Sequence, residues 1–249
     1  MIKIGIYVDA ANILMNGGFN MRYDQLRAYC TADKGIPIRL NTYLAYDEEK
    51  AKKNKEYRER QQGYHTALRN FGYKVVIKKV KWFKDEEGNR VSKANADLDM
   101  AVDMLLQSKN LDKMYLLTGD GDFRNVVRAV QNEGVRVEVI AFRNISHELI
   151  HETDLFSSGY LIPNLRPVDD QGFTEWAKPG KRARGVITSL HDGYGFIRFM
   201  DMDYEWQFAY FAFKDLPKKF QAKTEQMFTF EIAQNNKGYQ AQNMVLLEP

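Results

Sequence analysis

Asp9, Asp97, Asp120 and Asp122 are the residues whose type and spacing most suggest chemistry. Asp9 closes an apolar run, in Tyr7-Val8-Asp9-Ala10-Ala11-Asn12. Asp97 opens a helical stretch, after Lys93-Ala94-Asn95-Ala96. Asp120 and Asp122 follow a second apolar run, in Thr118-Gly119-Asp120-Gly121-Asp122-Phe123. Carboxylates crowded together repel one another and need a cation, and hard oxygen donors select Mg²⁺ or Mn²⁺. An ion held by one or two carboxylates and several waters can activate water and stabilise the leaving oxygen of a phosphodiester. No matching set of histidines or cysteines is present for zinc. Each acid also has a plainer role. An aspartate at a strand end forms turns, Asp97 can cap its helix, and Asp99 and Asp103 lie four apart on a polar face.

The elements that must position these acids alternate. Ile2 to Val8, Pro37 to Ala45, Tyr73 to Val80, Met114 to Leu117 and Arg136 to Phe142 read as strands. Helices are expected from about Asp47 to Asn70, from Asp97 to Gln107, from Asp122 to Glu133 (stopped by Gly134) and from Ile145 to Thr153. The Asp97 helix shows Leu98, Ala101, Val102 and Leu105 on one side. Trp82 to Val91 surrounds Asp85-Glu86-Glu87-Gly88-Asn89, a hairpin or loop. Strands separated by helices imply an α/β fold: a doubly wound, mostly parallel sheet with helices on both faces. Ligands of such sheets sit beyond the carboxyl ends of the strands, at the topological switch point. All four acids fall at strand ends or a helix start, and they converge if the first and fourth strands are neighbours.

The 249 residues carry a net charge of only +3, so whole-chain charge says little about partners. Between Lys50 and Lys84 lie Lys52, Lys53, Lys55, Arg58, Arg60, Arg69, Lys74, Lys78, Lys79 and Lys81. Asp47, Glu48, Glu49, Glu56 and Glu59 are interspersed, so a solvated helix face and a phosphate-attracting patch both stay open. The single Cys30 excludes a disulfide within the chain. Met1 to Met15 has neither a basic leader nor the length of a membrane span. A soluble, cytoplasmic protein is expected.

The motifs quoted above, with Asp97-Leu98-Asp99-Met100-Ala101-Val102-Asp103-Met104-Leu105 and the run from Val135 to Phe142, resemble the successive motifs of NYN-domain proteins, relatives of PIN-domain and flap-endonuclease folds. The resemblance covers residues 1 to 163 in the family's order. It implies a metal-dependent ribonuclease fold in which Asp9, Asp97, Asp120 and Asp122 bind Mg²⁺ or Mn²⁺ and Asn12 orients a ligand or water. Asp103 also matches a family acid but lies about 120° around the helix from Asp97, so it is assigned a supporting or structural role. Ala94-Asn95 stands where many relatives have a glycine.

Pro163, Pro167, Pro179, Gly172 and Gly180 mark a linker, taken as residues 164–181. Five short strands follow within residues 182–249: Gly185 to Ser189, Gly195 to Phe199, Gln207 to Phe211, Met227 to Ile232 and Gln240 to Leu246. They suggest a small five-stranded β-barrel of the OB type. Residues two apart on a strand share a face, so Tyr194 pairs with Phe196, and Phe208 with Tyr210. Outward rings stack unpaired bases, and inward rings fill the core. The glycines flanking Tyr194 favour the first, by leaving room for a base. The stretch from Gly185 to Leu247 resembles a cold-shock domain, with Asp192 to Ile197 and Gln207 to Phe211 at its two RNA-binding motifs. That implies RNA contacts from Tyr194, Phe196, Phe208, Tyr210 and Phe211. Thr188-Ser189-Leu190 replaces the usual Lys-Trp-Phe, and Asp192 and Tyr210 replace a lysine and a histidine. Weaker binding than that of a free-standing cold-shock protein is therefore expected.

Together these readings imply a metal-dependent ribonuclease acting on RNA, with single-stranded DNA and a homo-oligomer left open. One rival is a catalytically inactive RNA-binding adaptor. Another is an interaction scaffold using Trp206 and Phe213. A phosphatase or nucleotide-binding enzyme ranks low, because no Gly-rich phosphate loop is present.

Overall fold

A computed structural model describes residues 1–84, 87, 90–93, 96–168, 175–218 and 220–247. The chain forms two compact units. The first comprises Met1–Gly17 and Asp33–Ser157, the second Gly18–Ala32 and Ser158–Pro249.

The first unit is built on a six-stranded sheet. Its elements run β1 (Lys3–Asp9), α1 (Ala10–Met15), and, after the excursion of α2 (Tyr23–Thr31) into the second unit, β2 (Ile36–Tyr46), α3 (Glu48–Lys53), α4 (Lys55–Asn70) and β3 (Lys74–Lys79). A two-stranded hairpin, β4 (Lys81–Lys84) with β5 (Arg90–Lys93), leads to α5 (Ala96–Gln107). Then come β6 (Lys113–Leu117), α6 (Arg124–Asn132), β7 (Arg136–Ala141), α7 (His147–Glu152) and β8 (Leu155–Ser158). The strand order is β3-β2-β1-β6-β7-β8. The pairs β3–β2, β2–β1, β1–β6 and β6–β7 are parallel. The chain winds outward one way from β1, then returns to β6 and winds the other way. The order therefore reverses between β1 and β6, and the switch point lies beyond their carboxyl ends.

Burial explains the strands. In β1 every residue after Lys3 is buried, and β6 is buried from Met114 on, as expected for central parallel strands covered on both faces. The expected helix from Asp47 to Asn70 is two helices. Asn54 ends α3 and its side chain caps α4, accepting the Tyr57 N–H at 2.8 Å. The expected helix from Asp122 begins as a 3-10 turn over Gly121–Phe123, and α6 follows. The grouping on α5 is reversed. Ala96, Met100 and Met104 form its buried i, i+4, i+8 stripe, while Leu98, Val102 and Leu105 are exposed. The hairpin tip at Asp85, Glu86, Gly88 and Asn89, and the Ala94-Asn95 departure, lie outside the described residues.

The second unit is a closed barrel of β9 (Arg182–His191), β10 (Tyr194–Met200), β11 (Trp206–Ala212), β12 (Met227–Asn235) and β13 (Gly238–Leu246). Around the barrel the order is β10-β11-β13-β12-β9. β11 and β13 pair in parallel and the other neighbours antiparallel, so the first three strands form a meander and the last closes on the third. The core is aromatic: Phe199, Phe211, Phe228 and Phe230 are all fully buried. Trp176, inside the expected linker, is buried among them and its indole N–H donates to the Met200 carbonyl at 2.7 Å. Linker positions 169–174 lie outside the described residues. α2 belongs here as well. The Arg22 N–H donates to the Leu165 carbonyl at 2.9 Å, and the Tyr29 ring meets Tyr204 edge-on at 5.4 Å.

Candidate functional site

The acids gather at the switch point. β1 and β6 are direct neighbours, with Val8 opposite Leu117, so Asp9 and the Thr118–Asp122 loop leave the sheet side by side. Their backbones are tied together. The Thr118 hydroxyl donates to Asp9 Oδ2 and accepts the Asp120 N–H, each at 3.2 Å. Asp9 Oδ1 accepts the Asn12 N–H at 3.0 Å and so caps α1. Asn12 Oδ1 accepts the Gly119 N–H at 2.9 Å. Through that oxygen Asn12 holds the loop. Asp120 Oδ1 accepts the Asp122 N–H at 2.9 Å and caps the 3-10 turn. Gly119 is required for packing. A Cβ there would meet the Asn144 carbonyl oxygen at 2.9 Å, and the Gly119 carbonyl itself accepts the Ser146 N–H.

Electrostatics links the set. Burial raises the pKa of Asp9 above the ordinary carboxylate value. The Asn12 N–H and the Thr118 hydroxyl oppose that rise, while the charges of Asp97 and Asp120 add to it. Asp97 is raised by burial, then by Asp120 and Asp122. Like charges therefore face one another across the ends of β1, α5 and β6, and hard oxygen donors in that arrangement suit a divalent cation. Among the described residues no three acids stand close enough to enclose an ion by side chains alone. Asp9 is buried, Asp120 half-buried, and Asp97 and Asp122 are exposed, an arrangement that leaves room for water ligands.

The remaining acids of α5 are engaged elsewhere. Asp99 accepts Lys78 Nζ at 2.8 Å, and Asp103 accepts the Tyr43 hydroxyl at 2.8 Å. The basic run is partly neutralised in the same way. Lys79 pairs with Glu48 at 2.8 Å, and Lys50 lies over the Tyr57 ring.

On the barrel, strict alternation divides β10 and β11. Gly195, Ile197, Phe199, Ala209 and Phe211 point inward. Tyr194, Phe196 and Arg198 on one strand, and Trp206, Phe208 and Tyr210 on the other, share the outer face, with Phe196 opposite Tyr210 and Arg198 opposite Phe208. Tyr194 stacks on His191 at 4.8 Å and on Tyr210 at 5.6 Å, and Arg198 lies over Trp206 at 4.3 Å. Phe208 is 56% exposed, whereas Phe211 is 1% exposed and belongs to the core, which removes it from the expected RNA-contacting set. The two glycines also have other reasons. Gly193 turns the chain at φ +83°, and Gly195 faces inward, where a Cβ would strike the Phe211 ring at 2.6 Å and the Ser189 carbonyl at 2.7 Å.

Residues 3–161 match the NYN domain. The chain belongs to the NYN-domain family. Low amplitude and bright protein LabA of Synechococcus elongatus is 33% identical over 99 residues, which cover 39% of this chain and 53% of LabA. The match thus spans about half of that relative's length. A protein of unknown function from Vibrio parahaemolyticus superposes with a TM-score of 0.52 at 23% identity, covering 70% of this chain and 96% of its own, a likeness of fold. The Drosophila Unr CSD456 structure aligns over 28% of each chain at 26% identity with a TM-score of 0.24, too low for an inference.

Within this NYN domain the sequence names all four acids at the switch point. It misses the role of Thr118, whose hydroxyl bridges Asp9 and the Asp120 loop across 109 positions. On the barrel it misses His191, Arg198 and Trp206 as members of the ring face. Continuing the period-two count from Phe196 to Arg198 and from Phe208 to Trp206 finds two of them. His191 lies across the β9–β10 turn and needs the strand pairing itself. Among the described residues no helix is long and apolar enough to cross a membrane.

Proposed function

We propose that this NYN-domain protein is a Mg²⁺- or Mn²⁺-dependent ribonuclease that cleaves RNA, with its barrel holding unpaired bases on the outer ring face. The observation that carries the reading is the pairing of β1 with β6, which brings Asp9 beside the Asp120 loop at the switch point. Asp9, Asp97, Asp120 and Asp122 would hold the ion through carboxylate oxygens and bound waters. The ion would supply a water of lowered pKa and charge stabilisation for the leaving oxygen. The chain's own residues do the positioning. Thr118 and Asn12 fix the Asp120 loop against β1, and Asp120 orients its turn through the Asp122 N–H. On the barrel, Tyr194, Phe196, Phe208 and Tyr210 offer ring faces for stacking, and Arg198 adds a cation beside them. The resemblance of the sequence from Gly185 to Leu247 to cold-shock domains supports the same assignment.

Incubation of single-stranded RNA with the protein in Mg²⁺, Mn²⁺ or chelator tests the reading. Cleavage should need the metal and disappear in Asp120→Asn. Equal cleavage by a folded Asp120→Asn protein would sink it. A second reading, RNA binding without cleavage, is favoured by the lack of three closely grouped acids among the described residues. Tight RNA binding with no cleavage in either metal would select it.

A further inference from the structure

Away from the carboxylates, at the opposite edge of the same sheet, lies a cleft of about 470 Å³. It is lined by Pro37 to Asn41 on β2, Lys74 at the start of β3, Gly72 in the turn before it, and Gln107 at the end of α5. These are the amino ends of β2 and β3, whereas Asp9 and Asp120 stand at carboxyl ends. α5 spans both places, with Asp97 in its first turn and Gln107 at its last residue. Ten residues of helix separate them by about 15 Å.

The floor is a hydrogen-bond chain whose directions are fixed. Asp103 can only accept, and it takes the Tyr43 hydroxyl at 2.8 Å. The Tyr43 oxygen accepts Asn41 Nδ2 at 3.1 Å. Gln107 Oε1 accepts the Tyr7 hydroxyl at 2.9 Å and, more weakly, Asn41 Nδ2 at 3.4 Å. With its oxygen occupied, Gln107 has its Nε2 left to donate. Asn41 is 1% exposed, yet its Oδ1 has no partner among the described residues. A buried carbonyl oxygen without a donor is costly, and a ligand N–H or O–H would relieve it.

The rim is cationic. Arg39 and Lys74 are both exposed, and neither has a carboxylate partner among the described residues. Arg39 Nη1 donates only to the Ile38 carbonyl, at 2.9 Å. Two cations without a carboxylate partner among the described residues thus stand with a donor amide and an orphan acceptor, and call for a ligand with negative charge at one end and hydrogen-bonding groups at the other.

We infer that this cleft binds a phosphate ester of the nucleotide type, its phosphate between Arg39 and Lys74 and its sugar or base against Gln107 and Asn41. The same chemistry is offered by a free mononucleotide and by one nucleotide of an RNA strand. The volume lies within the range of small-ligand sites. The inference does not rest on the carboxylates or on cleavage.

Calorimetric titration of the full chain, in chelator, with 5′-AMP, 5′-GMP, 5′-CMP, 5′-UMP and inorganic phosphate tests it, beside a fluorescent single-stranded RNA 12-mer at several salt concentrations. The double variant Arg39→Ala, Lys74→Ala alters two exposed side chains, and its melting curve verifies the fold. A nucleotide that binds wild type and loses at least about tenfold in the variant identifies a mononucleotide site. Loss confined to the RNA, with a salt slope shallower by about 0.7 for the one phosphate no longer neutralised, identifies the strand as the ligand. Nucleotide and RNA affinities both within twofold of wild type would overturn the inference. Because chelator silences the metal site, that failure would leave the ribonuclease reading standing, and absent cleavage would leave this one standing.

Discussion

The carboxylate end of the sheet and the ring face of the barrel solve opposite problems. At the switch point, groups that repel are held near one another: Thr118, Asn12 and the capped turns fix Asp9 beside the Asp120–Asp122 loop, and the charge of Asp97 at the start of α5 acts on them. On the barrel, rings that attract are set side by side by strand alternation alone, and they stack on one another at 4.8 and 5.6 Å. In the first region burial and then the like charges of Asp97 and Asp120 raise the pKa of Asp9, and burial with the charges of Asp120 and Asp122 raises that of Asp97. The second is self-complementary, and under the proposed function a base would join it as one more ring. On the same reading the contrast would put chemistry in one region and grip in the other.

The largest expected effect breaks the contrast at the carboxylates. Asp120→Asn keeps the oxygen that caps the turn but removes a charge. It should lower kcat by about 10³-fold, as several kcal/mol of lost charge stabilisation implies, with RNA affinity in chelator unchanged. Tyr194→Ala with Phe208→Ala should do the reverse, raising KM with kcat nearly constant, the sign of lost uniform binding. Single-turnover and steady-state cleavage measure both. A fall of kcat in the ring variant equal to that in Asp120→Asn would erase the division of labour.

The next effect sharpens the barrel. Phe211 and Phe208 lie three residues apart on β11, one inside and one outside. Phe211→Ala should cost about 3–5 kcal/mol of stability through the cavity it leaves. Phe208→Ala should leave the melting temperature nearly unchanged and weaken single-stranded RNA binding by about 1–3 kcal/mol. Thermal melts with fluorescence anisotropy decide, and similar destabilisation by both would show that the outer rings are structural.

The same pair shows what a sequence can tell. Period two separates Phe208 and Tyr210 from Phe211, so placing all three on one face conflicts with alternation, and the barrel resolves it. The central strands were legible because β1 and β6 are short runs buried on both sides. α2 was not, since Tyr23, Leu26 and Cys30 are buried amid polar residues and Arg22 provides no side-chain cap. On α5 the leucines signalled a core face, yet Met100 and Met104 turn inward. The four acids could be named because each sits at a local boundary. The ties among them, and the cleft network joining Tyr7, Asn41, Tyr43, Asp103 and Gln107, join residues far apart in the chain and leave no local pattern.

The smallest expected effect tests whether the acids are strained at all. The pKa values of Asp9 and Asp97 are raised above the ordinary 3.8, first by burial and further by the charges of neighbouring carboxylates. The native state therefore holds these protons more tightly than the unfolded chain does. Without metal, their contribution to stability must fall as pH rises from 3.8 up through the raised values. Asp97→Asn removes one titrating member and part of the repulsion on Asp9. It should flatten that fall and raise the metal-free melting temperature at pH 7 by about 1–2 °C, because solvent screens a partly exposed charge. Millimolar Mn²⁺ should act oppositely, stabilising wild type by mass action and the variant less. Melting curves from pH 4 to pH 8 (with chelator, then with Mn²⁺) measure all three. If the variant melts no higher than wild type in chelator, and Mn²⁺ shifts neither protein, the acids are turn formers and caps. The contrast with the barrel would then lose its charged half.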